Sequence, residues 1–191
     1  MAGPDNWLDL PPNLPVPKDD GACDHLTGMP LPSVPLASTA GRAVDLAALP
    51  GTTVVYAYPR TGHPGVPSPA GWDAIPGARG CTPQSCAFRD HHGEFAALGA
   101  RVFGLSAQTI EDQREAVERL HLPMALLSDV DLAFARALRL PTFVVESLVL
   151  IKRLTLVVRN GRIATVFYPV FPPNKNAEEV LAWLRRHPSP A

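Results

Sequence analysis

Apolar and polar positions change period several times along the chain, and each change marks an element. "TTVVYAY" (52–58) is apolar almost throughout and rich in β-branched and aromatic residues, so it predicts a strand buried on both faces. "ARVFGLSA" (100–107) and "PMALLSD" (123–129) predict two more strands. Between them, "TIEDQREAVERLHL" (109–122) places Ile110, Ala116, Val117 and Leu120 on one stripe of an amphipathic helix. "DLAFARALRL" (131–140) predicts a short helix. "LTLVVRNGRIATVFY" (154–168) reads as a hairpin, because Asn-Gly supplies two residues that tolerate positive φ. "NAEEVLAWLRRH" predicts a closing helix, with Asn176 as N-cap, Glu179 three residues on and Pro188 as its stop. Upstream, "SVPLASTAGRAVDLAAL" suggests two short strands about a glycine turn.

Two segments resist any period. Residues 1–30 are rich in Pro, Asp and Gly and predict an irregular arm, with one folded domain over 31–191. Residues 62–80 hold five Gly and four Pro and predict a loop, and a loop that long within a compact domain is commonly functional. After it a helix begins, with Thr82 as the expected N-cap, Pro83 at the first helical position, and Ala87, Phe88, Phe95 and Leu98 facing inward. Strand–helix–strand–helix–strand, then a hairpin and a helix, defines an α/β domain whose early strands are parallel and whose last two are antiparallel. A thioredoxin-like fold has this order, with a mixed central sheet flanked by helices and an N-terminal hairpin.

Composition narrows the function. The chain has 191 residues, 46% hydrophobic, enough for one full core. Seventeen basic side chains against eighteen acidic give a formal net charge of −1 with no basic stripe, which argues against nucleic acid and against a polybasic membrane face. The most apolar stretch, "TFVVESLVLIKRLTLVV", is interrupted by Glu146, Lys152 and Arg153 and does not read as a membrane span. The N-terminal residues lack the basic and apolar regions of a secretory signal. With three cysteines, this points to a reducing, cytoplasmic setting, where thiols are catalytic, metal-bound or packed.

Two of those cysteines sit in "GCTPQSCAFRD" (80–90). Cys81 lies at a helix N-terminus, where unsatisfied N–H groups and the helix dipole favour an anion and hence a thiolate. Arg79 adds positive charge nearby. Cys86 falls in the second turn and has no such activation, so the two thiols have different roles. Five residues of helix rise by about 7.5 Å, beyond the Cα separation of about 4.4–6.8 Å that a disulfide tolerates. A bond between them requires the first turns to unwind. The arrangement suits a nucleophile that is oxidised by a hydroperoxide and then resolved by a second thiol. The alternative of a zinc set from Cys81, Cys86, His91 and His92 has an unsuitable spacing. Arg89 and Asp90 read as a surface ion pair, Trp72 and Ile75 as residues that pin the 62–80 loop or, alternatively, form an apolar wall for a larger hydroperoxide, and Cys23 as an incidental thiol.

This segment resembles the active-site motif of the Q-type peroxiredoxins (the bacterioferritin comigratory protein group), approximately G-C-T-x-x-x-C-x-F-R-D. The resemblance extends to "YAYPR", "GARVFGLSA" and "IKRLTLVVRNGRI", over roughly residues 30 to 185. It implies a thiol peroxidase that uses no metal or organic cofactor. Cys81 would be its peroxidatic cysteine, Cys86 its resolving cysteine, Arg153 the arginine that contacts thiolate and peroxide, and Pro59 the residue that shields the pocket. Hydrogen peroxide or organic hydroperoxides would be its substrates, a thioredoxin-type dithiol protein its reductant, and a monomer or weak dimer its assembly. The chain departs from the family pattern at Ala78, where a Thr or Ser normally stands three residues before the cysteine. Thr61 is the nearest upstream hydroxyl and Ser68 a weaker one, so the expectation is that the loop excurses and returns to leave Thr61 beside Cys81. A general dithiol oxidoreductase would need C-x-x-C, which is absent. A redox-sensing or partner-binding module with weak peroxidase activity is the remaining alternative.

Overall fold

The computed structural model describes residues 9–188. Nine strands and five helices follow one another as β1 (Pro35–Ser38), β2 (Val44–Asp45), β3 (Thr52–Ala57), α1 (Cys81–Asp90), α2 (His92–Ala97), β4 (Ala100–Ser106), α3 (Ile110–Leu120), β5 (Leu126–Ser128), α4 (Ala133–Leu138), β6 (Thr142–Val145), β7 (Leu148–Ile151), β8 (Leu154–Arg159), β9 (Arg162–Phe167) and α5 (Asn176–Arg186). A seven-stranded sheet runs β2-β1-β5-β4-β3-β8-β9. Strands β3, β4 and β5 are parallel to one another, whereas β8 runs antiparallel to β3 and β9 to β8, as the sequence order required.

The alternation of β3 divides the core. Val54 and Tyr56 face one side with Phe88, Phe95, Ala116 and Val180, under α1, α2, α3 and α5. Val55 and Ala57 face the other with Leu105, Phe134, Leu138 and Leu156, under α4. All six residues of β3 are buried, which accounts for its unbroken apolar run. The β8–β9 turn has Asn160 at φ 48° and Gly161 at φ 72°. A side chain at Gly161 would also approach the Ala47 carbonyl to 2.5 Å, so both conformation and space demand glycine there.

Three departures from the sequence reading have clear causes. The stretch from Thr142 to Ile151 folds into a separate two-stranded sheet, β6–β7, turned at Glu146 with φ 52°. Glu146 and Ser147 interrupt the apolar run there, but with neither glycine nor proline the interruption carries no turn signal. The helix after Cys81 is two helices, broken at His91, and Leu98 is left 37% exposed beyond the end of α2. Residues 9–30 are irregular but packed: Cys23 and Leu26 enter the second core, and Gly28 N and Leu31 N donate to the carbonyls of Ile163 and Gly161 at 2.8 and 2.7 Å. The arm thus covers part of the outer edge of β9. No helix among the described residues is long and apolar enough to cross a membrane.

Candidate active site

The site forms where β3 leaves the sheet, the 62–80 loop returns, and α1 begins. The loop is anchored rather than free. Trp72 is buried against Ala78, Val145 and Leu150 and lies 6.2 Å from the Phe143 ring. The Glu146 carboxylate accepts from Ala70 N at 3.1 Å, and Arg119 donates to the Gly62 carbonyl at 2.9 Å. The pinning expected of Trp72 and Ile75 is met through the β6–β7 hairpin.

Helix α1 is capped by backbone, not by a side chain. Gly80 is the N-cap, with φ 105°, and there is no side-chain capping bond. Thr82 is therefore not the cap: Cys81 itself is the first helical residue, one position earlier than expected. Pro83 is still tolerated, because the first-turn N–H it lacks has no intrahelical partner. Gly80 is also squeezed from outside, since a Cβ there would overlap Pro173 and come within 2.8 Å of Leu10 Cδ2. A tight left-handed residue thus sets the direction in which Cys81 enters the helix.

Arg153, immediately before β8, closes the site from the sheet side. It is 3% exposed, as is Cys81. Its Nη2 donates to Cys81 Sγ at 3.2 Å and to the carbonyls of Gly77, Ala78 and Arg79 at 3.2, 3.1 and 3.1 Å. Its Nη1 donates to Gln84 Oε1. The Cys81 thiol lies 3.6 Å from the Ala78 carbonyl, to which it donates. One guanidinium therefore holds the last turn of the loop, the sulfur and the first turn of α1 together. The Arg79 side chain pairs with Asp73 at 3.3 Å.

The polar chain continues inward. An arginine only donates, so Gln84 presents its oxygen to Arg153 and its amide to Asn176, donating to Asn176 Oδ1 at 3.0 Å. Thr155 donates to the same oxygen at 2.6 Å. Gln84, Thr155 and Asn176 are all fully buried. Sequence reasoning missed Gln84 and misread Asn176, which is not the N-cap of α5: that place is Lys175, and the Asn176 amide is drawn inward by this network. The available signal was a glutamine in the first turn of an otherwise buried helix.

The other expected site residues divide. Pro59 is buried in the bend after β3. Cys86 is buried on α1, where burial pushes its thiol above the usual range. Thr61 does not join the sulfur. Its N–H and hydroxyl both donate to Gln108 Oε1, at 2.8 and 3.2 Å, and Gln108 Nε2 returns a bond to the Thr61 carbonyl at 3.3 Å. The glutamine after β4 captures the loop at its start, so the expected return of Thr61 to Cys81 is corrected. Among the described residues, no hydroxyl replaces the one missing at Ala78 as a hydrogen-bond partner of the sulfur. Cys23 is packed in the second core, and burial together with Asp20, Asp19 and Asp24 pushes its thiol up to about 12. His91 bonds to Glu94 at 2.5 Å, and no group of metal-ligating side chains gathers among the described residues. Arg89 pairs with Asp90 at 2.8 Å, as expected.

A single thiol at a helix N-terminus, gripped by a buried arginine on a thioredoxin-like sheet, defines a thiol-based peroxidase rather than a dithiol exchange protein. Comparison with known proteins agrees. The Redoxin family profile matches residues 26–181. The chloroplastic peroxiredoxin Q of Sedum lineare is 30% identical over 176 residues, covering 91% of this chain and 86% of that protein. The crystal structure of peroxidoxin BcpB from Mycobacterium tuberculosis superposes with a TM-score of 0.69 at 26% identity, covering 86% of this chain and all of that one. Peroxiredoxin Q of Xanthomonas campestris shares the fold, with a TM-score of 0.65 at 22% identity over 91% of this chain and 98% of that one. The chain belongs to the redoxin family as a Q-type peroxiredoxin, an enzyme that reduces hydroperoxides at the expense of a thiol reductant.

Proposed function

We propose that Cys81 is the peroxidatic cysteine, Cys86 the resolving cysteine of the same chain, and Arg153 the group that holds both thiolate and peroxide. The observation that carries this reading is the bond from Arg153 Nη2 to Cys81 Sγ at 3.2 Å. In the first step the Cys81 thiolate attacks the terminal oxygen of a hydroperoxide. An S–O bond forms and the O–O bond breaks, leaving a sulfenic acid and an alkoxide that takes up a proton to become the alcohol. Donors already fixed around the sulfur stabilise the charge that develops on the departing oxygen. Pro59 shields the thiolate from bulk water. In the second step the Cys86 thiolate attacks the Cys81 sulfur, an S–S bond forms, and hydroxide leaves as water after protonation. A thioredoxin-type dithiol then reduces the internal disulfide by exchange. The protein works as a monomer or weak dimer, as the family resemblance implies, in the cytoplasm, the setting that its cysteine usage favours.

The second step requires α1 to open. Cys81 and Cys86 are both free thiols on one helix, and five residues of rise separate them. The deciding experiment is Cys86→Ser followed by mass spectrometry. That variant consumes about one equivalent of peroxide per chain and stalls as a sulfenic acid or a more oxidised form. Oxidised wild-type protein carries a Cys81–Cys86 bridge. A dominant Cys23–Cys81 bridge, or full turnover by the variant, would overturn the assignment.

A further inference from the structure

Arg153 is a buried cation without a carboxylate. Among the described residues the ion pairs are all made by other side chains. Its guanidinium donates to the carbonyls of Gly77, Ala78 and Arg79, to Gln84 Oε1 and to Cys81 Sγ, and its Nε is buried with no hydrogen-bond partner. Neutral acceptors leave the charge itself uncompensated. The sulfur is the partner that can become an anion, so every other neighbour that stays neutral leaves the full attraction to it.

This neutrality extends one link beyond the guanidinium. Gln84 Nε2 donates to Asn176 Oδ1 at 3.0 Å, and Thr155 donates to the same oxygen at 2.6 Å. Arg153 and Thr155 are two positions apart, so the ring Arg153–Gln84–Asn176–Thr155 closes through the start of β8. Asn176 Nδ2 is buried and has no hydrogen-bond partner. By hydrogen bonding alone, an aspartate suits position 176 better. Both neighbours donate to it, a carboxylate accepts such bonds more strongly than an amide, and it has no N–H group to leave stranded. The side chain present is the one that brings no charge.

We propose that Asn176 is a positioning residue whose neutrality reserves the Arg153 charge for the Cys81 sulfur. It acts through Gln84: its oxygen turns the Gln84 amide so that Oε1 meets the guanidinium, and it offers the arginine no competing anion. The inference rests on Cys81 and Arg153 as the reacting pair. The groups that face the sulfur from other directions do not compete either. Tyr56 and Tyr58 on β3 are held protonated by burial, and burial pushes up the Cys86 thiol on the same helix. Arg79 in the loop pairs with Asp73. On α5, Glu178 is paired with Lys175, and burial raises the Glu179 carboxyl.

Asn176→Asp tests this, because it keeps the shape and both bonds and adds only a charge. The readout is the rate of Cys81 alkylation by iodoacetamide from about pH 4 to about pH 10. It is made in the Cys86→Ser chain, with the adduct located by mass spectrometry. The aspartate competes for the guanidinium, so the midpoint of the profile moves up by about one pH unit. The pH profile of first-turnover oxidation by hydrogen peroxide moves with it. Asn176→Ala removes the orienting oxygen without adding charge, so it lowers the unfolding midpoint and moves the profile by less than half as much. Gln84→Glu carries the charge one link nearer and moves the profile at least as far, which decides the matter if Asn176→Asp does not fold. An Asn176→Asp profile superimposable on its parent, or an equal displacement in Asn176→Ala, would overturn the proposal. Peroxide oxidation of the wild-type chain that begins at Cys86 or Cys23 would instead sink the reading of the reacting pair.

Discussion

Arg153→Met separates what the guanidinium does for the fold from what it does for the reaction. Methionine preserves an unbranched apolar stem and removes every donor. In the structure those donors serve Gln84 Oε1, the sulfur, and three carbonyls at 3.1–3.2 Å. Each buried acceptor left unpaired costs about 1–3 kcal/mol. Four such oxygens would naively exceed much of a domain's stability, but the Gly77 carbonyl lies next to a cavity and can turn to water, and the rest of the loop end can relax. The cost of burying the charge is also recovered. Those offsets bring the expected loss to about 3 kcal/mol, the lower end for breaking a buried charged cluster. With a urea m-value of about 2 kcal/mol/M, the midpoint falls by roughly 1.5 M. Independently, the first-turnover rate with hydrogen peroxide drops by about 10²–10³, the usual consequence of removing a donor to developing charge. Arg153→Lys keeps a charge without the planar fork, so it recovers part of the rate and little of the stability. Urea titration followed by tryptophan fluorescence and stopped-flow oxidation measure the two effects. A wild-type midpoint together with a wild-type rate would refute the view that one guanidinium binds loop, sulfur and helix together.

Gly80→Ala places a side chain at φ 105° and into Pro173 and Leu10. A loss of about 2–3 kcal/mol is expected by thermal or urea unfolding, and a neutral result would show that the helix start is less constrained than described. The alkaline limb of stability should depend on Cys23. Its folded value of about 12 lies above the ordinary 9.0, so the folded protein retains a proton that the unfolded chain releases. Its contribution is fully present below about 9 and is lost as pH rises toward about 12. Unfolding titrations across that window should show a flatter slope for Cys23→Ala, and identical slopes would contradict the burial argument.

The elements legible in the sequence are those whose signal is local. The run of β3, the Asn160–Gly161 turn and the stripe of α3 each follow from a few neighbouring side chains. The cysteine pair was legible for the same reason, because a helix start and a spacing are both local facts. What escaped depends on distant partners. Thr82 has the chemistry of a cap, yet Gly80 takes that place because the chain must pass Pro173 and Leu10. Asn176 has the chemistry of a cap as well, and a threonine on β8 and a glutamine on α1 claim it instead. Thr61 was expected at the sulfur, but Gln108, 47 positions along, holds it elsewhere. The position of Arg153 inside an apolar run showed only that its charge needs a partner, and the family resemblance supplied which one, since nothing beside it in the chain indicates which sulfur it meets.

The bond between Gln84 and Asn176 ties the first turn of α1 to the first turn of α5. On the proposed cycle that turn must melt before Cys86 can reach Cys81, so the enzyme has to lose part of its structure once per catalytic round. Rigidity and endurance are then in conflict. A change that tightens this junction raises resistance to heat, but it also prolongs the life of the sulfenic acid and gives a second peroxide more time to oxidise it irreversibly. A change that loosens it shortens that exposure and lowers the melting temperature. The strength of a single buried amide pair thus acts as a timer, setting how much oxidant the protein survives before it is inactivated by its own substrate.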